Sequence, residues 1–158
     1  MDLITNFVVF YILVTNLISN AWAVKFRDCG NGEVTMVKVA QCPDEPCSLV
    51  KGKEFEVEMN FTPTKDAEKV TFHLSTSVFG FPVELPVDDN DACGQKFVDC
   101  PLKAGQSTKF VYKGLVEESV PMSSATVIFN LKTDDHELAC IETDVELLDP
   151  GQDIHQEL

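Results

Sequence analysis

The chain has 158 residues, with 26 Asp and Glu against 12 Lys and Arg and a formal net charge of −14. That balance argues against nucleic acid and anionic membrane surfaces as partners, because both are recognised through basic patches. The length suffices for one domain with a real core.

The chain opens on LITNFVVFYILVTNLIS, residues 3–19, which is apolar and uncharged. Ala21-Trp22-Ala23 follows, the small-any-small pattern that signal peptidase reads. The run predicts a signal peptide over residues 1–23, although its first residues hold Asp2 and no Lys or Arg. It is short for a bilayer span, and no second run of spanning length follows. Cleavage after Ala23 removes Trp22, the only Trp, and leaves Tyr112 as the only Tyr. The predicted domain is 24–149, followed by a loose polar tail over 150–158.

All six cysteines, at 29, 42, 47, 93, 100 and 140, lie after the signal. An even count in a secreted chain reads as disulfides, and six cysteines allow 15 pairings. Spacing favours one of them. CPDEPC puts Cys42 and Cys47 across a Pro-rich turn, and CGQKFVDC puts Cys93 and Cys100 across a short loop. That leaves Cys29 with Cys140 near the two ends of the domain. Zinc fits less well, since neither short pair has CxxC spacing and no His sits beside either.

Between the cysteines the apolar period is two. In KEFEVEMNF, residues 53–61, Phe55, Val57, Met59 and Phe61 share one face while Glu54, Glu56, Glu58 and Asn60 share the other. Residues 69–78 repeat the pattern with Val70, Phe72, Leu74 and Val78. Ala125, Val127, Phe129 and Leu131 do so again, as do Ile141, Val145 and Leu147. Residues 34–39 and 108–116 are looser strands. Clusters of Gly, Pro, Asp and Asn separate these segments, and no long segment has a 3.6-residue period. About seven short strands predict an all-β fold, two antiparallel sheets packed face to face as an immunoglobulin-like sandwich. The stretch FGFPVELPV, residues 79–87, stands apart, because Pro82 and Pro86 suit only an edge strand.

Catalytic patterns are weak. His73, His136 and His155 are scattered, and no Ser or Cys sits in a nucleophile motif. Asp88-Asp89-Asn90-Asp91 invites calcium, but an EF-hand count from Asp89 puts Cys93 at the fifth position and Cys100 where the bidentate Glu belongs. A solvated loop is the better reading. The chain therefore predicts no enzyme, no metal and no cofactor. Asn60-Phe61-Thr62 is a glycosylation sequon, with Asn60 as acceptor. The ending His155-Gln156-Glu157-Leu158 differs at one position from the retention address HDEL.

FRDCG, CPDEPC, the sequon before Thr62-Pro63, GFPVELP, the Cys93–Cys100 loop followed by Pro101, and Cys140 in the last strand occur in that order. This arrangement resembles the Niemann–Pick type C lysosomal sterol-carrier family, within the ML lipid-recognition domain class. The resemblance spans Val24 to Asp149. It implies the pairs Cys29–Cys140, Cys42–Cys47 and Cys93–Cys100, and a lipid pocket between splayed sheets. It places GFPVELP at the pocket mouth, with Phe81, Val83 and Leu85 facing the ligand. Val116, Val120 and Pro121 fall across the mouth, and Val127, Phe129 and Ile141 deeper. Sterol carriers of the family favour aromatic side chains where this chain has Leu85 and Val120, and Trp where it has Phe129 and Ile141. The expected ligand class is accordingly wider: fatty acid, sterol or semiochemical. Lys113 and Lys109 are the nearest candidate partners for a head group. The expected protein is a secreted monomeric carrier that delivers its lipid to a membrane or acceptor protein. The alternative is a secreted interaction module or lipid co-receptor in innate recognition. Lysosomal delivery, or endoplasmic-reticulum retention through HQEL, are the other destinations the sequence permits.

Overall fold

A computed structural model describes residues 23–31, 33–42 and 45–152. The predicted signal peptide before Ala23, and the HQEL ending, lie outside the described residues. The described residues form nine strands: β1 (Arg27–Asp28), β2 (Val34–Val39), β3 (Cys47–Val50), β4 (Glu54–Phe61), β5 (Thr71–Val78), β6 (Phe81–Glu84), β7 (Thr108–Leu115), β8 (Ser124–Lys132) and β9 (Glu137–Leu148). No helix is found among the described residues.

The strands form the expected two-sheet sandwich. Strands β2-β4-β7 make a three-stranded sheet, and β1-β9-β8-β5-β6 make the larger one, with β3 added against β9. The 12-residue β9 serves two short partners along one edge. Arg27 and Asp28 pair antiparallel with Glu142 and Ile141, while Cys47–Val50 run parallel to Val145–Leu148. This parallel ladder is the one departure from antiparallel pairing among the described strands. β1 and β3 are too short for their own period-two pattern to stand out in the sequence.

Alternation fixes which side chains go inside. In β4, buried Phe55, Val57, Met59 and Phe61 alternate strictly with exposed Glu54 and half-buried Glu56, Glu58 and Asn60. A one-residue slip would turn all four to solvent, so the register is firmly set. The turn from β5 to β6 is two residues, Phe79-Gly80, with φ of 51° and 84°. Positive φ at both positions suits the twist of a tight hairpin. Gly80 adopts it freely, whereas Phe79 does so against its Cβ.

Three disulfides join Cys29–Cys140, Cys42–Cys47 and Cys93–Cys100. The first ties the lead into β2 to the first third of β9. The second clips the crossing from the small sheet to the large one. The third closes the loop after β6, which lays Ala92, Val98 and Leu102 over one end of the sandwich, all buried. At that end Phe72 contacts four rings: Phe97, Phe110, Tyr112 and Phe129, with centroids 4.7 to 6.1 Å away. The fully buried Phe61, Phe110, Met59, Leu131, Leu138 and Ile141 fill the same half.

Candidate functional site

The other half of the sandwich does not close. A cavity of about 200 Å³ lies between the sheets there. Phe55 and Val57 of β4 and Tyr112 and Leu115 of β7 form its wall on the small sheet. Leu74 and Thr76 of β5, Ala125, Val127 and Phe129 of β8, and Thr143, Val145 and Leu147 of β9 form the opposite wall. Val39 and Leu49 close one side, and Leu85, Pro86, Val116, Val120 and Met122 surround the opening.

The wall is thin because its side chains are short. Val, Ala and Thr at 125, 127, 143 and 145 stand where the closed half has Phe and Leu. Gly114 adds room of another kind. A Cβ there would sit 2.7 Å from the Phe55 ring, so only Gly lets that ring lie flat against β7. The polar atoms are few. Thr76 and Thr143, both buried, donate to the backbone oxygens of Thr126 and Lys25 at 3.1 and 3.0 Å. Burial, and secondarily the negative charge of Asp88, hold the Tyr112 phenol above its usual value. Among the described residues, Glu117 at the exposed rim is the only carboxylate in the lining, which contains no Lys, Arg or His. An apolar cleft with so few polar groups can take up an apolar molecule by burial alone.

Of the residues anticipated for this site, Leu85, Val116, Val120, Val127 and Phe129 stand in the wall. Four do not. Phe81 and Val83 are 73% and 46% exposed. Their parity is nevertheless the inner one, since Val83 pairs with inward-facing Thr76 and Phe81 with Val78. The small sheet is too narrow to reach over β6, so the two side chains overhang the edge uncovered. Pro121 is exposed at the opening, and its neighbour Met122 turns inward instead. Ile141 pairs with Phe129 but is fully buried in the closed half.

Neither proposed head-group cation reaches the mouth. Lys109 and Lys113 lie on the outer face of β7, paired with Glu58 at 3.1 Å and Glu56 at 2.9 Å. Inward Phe110 and Tyr112 force that parity. Asn60 is also on the outer face, opposite Lys109. The acidic loop is braced within itself. Asp89 accepts from the Asp91 amide and from Gln95, and Asp91 accepts from the amides of Cys93 and Gly94. No group of metal-holding side chains occurs among the described residues. His73 faces outward and meets Glu84 at 3.3 Å.

Residues 23–147 match the profile of the ML domain. The mite group 2 allergen Lep d 2 of Lepidoglyphus destructor is 31% identical over 135 residues, covering 85% of this chain and 93% of the allergen. An ecdysteroid-regulated 16 kDa protein of Manduca sexta is 32% identical, over 84% of this chain and 94% of that protein. NPC intracellular cholesterol transporter 2 of Bos taurus is 31% identical, over 81% and 86%. Among solved structures, a Niemann–Pick type C2 protein from the Japanese carpenter ant superposes with a TM-score of 0.71 at 24% identity, covering 78% of this chain and 98% of that one.

Proposed function

The chain belongs to the ML-domain family of lipid-binding proteins, and on that footing we propose that it is a secreted carrier of a small apolar ligand. The ligand sits between the sheets and is released unchanged, with no covalent step. The observation that carries this reading is the cavity itself: one half of the sandwich is packed with rings while the other is left open and lined by Val, Leu, Ala and Phe.

The energetics are those of burial. Removing roughly 300 Å² of chain surface from water at about 25 cal/mol per Å² supplies about 7.5 kcal/mol before ordering costs, which sets micromolar affinity as the ceiling for that area. The cavity, about 200 Å³, is below the roughly 300 Å³ at which drug-sized pockets begin. That size favours a slender acyl or terpenoid chain over a rigid tetracyclic sterol. Acceptance by a membrane or a receptor protein would take place at the overhanging β5–β6 hairpin beside the mouth, where Phe79 and Phe81 are exposed. A glycan on Asn60 would point away from that face.

The test is native mass spectrometry of protein purified from a secreting host. A small molecule lost on organic extraction supports the carrier reading, and its mass gives the ligand class. A bare polypeptide mass, with no uptake of added oleate or cholesterol, would overturn it in favour of an interaction module. Val127→Trp, which fills the cavity from its wall, should abolish uptake while the disulfide-bonded fold persists.

A further inference from the structure

Besides the Tyr112 phenol and Glu117 at the rim, two threonine hydroxyls interrupt the apolar cavity wall. Thr76 and Thr143 are only 4% and 3% exposed. They stand in one row, because Thr76 pairs with Val127 and Val127 pairs with Thr143. With strands about 4.8 Å apart, the two lie roughly 10 Å from each other across the wall.

Their chemistry is one-sided. A hydroxyl has one hydrogen and two lone pairs. Here both hydrogens are committed, to the backbone oxygens of Thr126 and Lys25. What each can offer a ligand is a lone pair. A ligand O–H or N–H can donate to it. A carboxylate, which only accepts, gains no bond and brings an unpaired charge into an apolar site. Among the described residues the lining has no cation to offset that charge, and its one carboxylate, Glu117, is of the same sign. The Tyr112 hydroxyl could donate, but the negative charge of Asp88 opposes an anion beside it. A cation, Lys53, lines an adjoining recess together with Glu54.

Resting on the carrier reading, we infer that the cavity selects a neutral chain molecule bearing a hydrogen-bond donor, a long-chain alcohol, over the carboxylate of equal length, and that Thr76 and Thr143 are the residues that read the donor. The apolar wall supplies affinity to any chain. The two oxygens supply the discrimination.

The experiment uses the delipidated protein at pH 7, with N-phenyl-1-naphthylamine displaced by 1-tetradecanol, methyl tetradecanoate or tetradecanoate. The alcohol should displace at a concentration at least about tenfold lower than tetradecanoate, with the ester between them. Thr76→Val with Thr143→Val should weaken the alcohol about three- to tenfold, onto the ester, and leave the ester within about twofold. Retained ester binding shows that the double variant is folded. Lys53→Gln should alter none of the three. Tetradecanoate equal to the alcohol, an alcohol–ester gap that survives the double substitution, or loss of tetradecanoate binding in Lys53→Gln would each overturn the inference while leaving the carrier standing. No binding of probe or of any chain would overturn both.

Discussion

The two halves of this sandwich use the same strands and the same parity but opposite side-chain sizes. In the half covered by the Cys93–Cys100 loop, Phe72 is ringed by four aromatic side chains. Two to four residues further along the same strands, Val127, Ala125, Thr143 and Val145 leave a cavity. Tyr112 and Phe129 belong to both halves and mark the boundary. The difference teaches that the stability of the fold and its capacity for a guest are allotted to different residues. One half can hold the sheets together so that the other need not.

Truncation breaks that contrast most sharply. Phe72→Ala should cost about 3–5 kcal/mol in urea unfolding, because it empties the centre of a close-packed ring cluster. Val127→Ala should cost about 1 kcal/mol, since its side chain already faces open space. Equal costs would mean that the open half closes over itself in solution. Next in size is the clip between the sheets. Replacing Cys42 and Cys47 with Ala removes a disulfide with a sequence separation of 5. The expected loss is roughly 2 kcal/mol. Because Leu49 of the adjoining β3 lines the cavity, ligand affinity should fall in the same variant, as titration would show. Gly114→Ala acts on the cavity wall, at Phe55 and at Tyr112, whose ring the new Cβ would meet at 2.9 Å. The new Cβ would press on the Phe55 ring at 2.7 Å and drive it into the open space. Ligand uptake should drop several-fold with little change in the unfolding midpoint, and unchanged uptake would mean that the ring escapes another way.

The smallest effect is electrostatic and should not distinguish the halves. Asp66 is held below the usual carboxylate range by the Ala104 amide and then by Lys103, and Asp144 by Arg27 and then by Thr126. Groups with depressed values contribute stability above their unfolded value, near 3.9, and lose it as pH falls through the folded value. The contribution of these carboxylates should therefore be level from pH 7 to 5 and fade below about pH 4. Asp66→Asn and Asp144→Asn should each lower the melting midpoint slightly at pH 7 and converge on the parent chain in acid.

Much of this was legible in the chain. Period-two alternation located the long strands, and cysteine spacing pointed to the pairing that the fold contains. The misplacements have physical causes. The sequence gives the face of Phe81 and Val83 but not the width of the opposing sheet, so their overhang could not be read from it. Parity alone did carry the signal for Lys109 and Lys113, which alternate with Phe110 and Tyr112 and must face outward. It also carried Thr76 and Thr143. Each interrupts an apolar face, between Leu74 and Val78 and between Ile141 and Val145, and a reading that looks for apolar residues passes over them. A polar side chain on the apolar parity of a strand is the informative exception. The parallel pairing of β3 had no local signal, because it joins segments nearly a hundred residues apart.

That long reach has a consequence for how the molecule is made. β9 is translated after each strand it joins, yet β1, β3 and β8 all pair with it. Cys29 is synthesised 111 residues ahead of its partner Cys140. At roughly 5–20 residues per second it waits about 5–20 s, single, while four other cysteines emerge. The two short loops can close on the nascent chain as they appear. The large sheet cannot gain its edge until the final strand arrives. Biosynthesis of this domain thus ends in one late closure, in which the last dozen residues of the sandwich recruit its first.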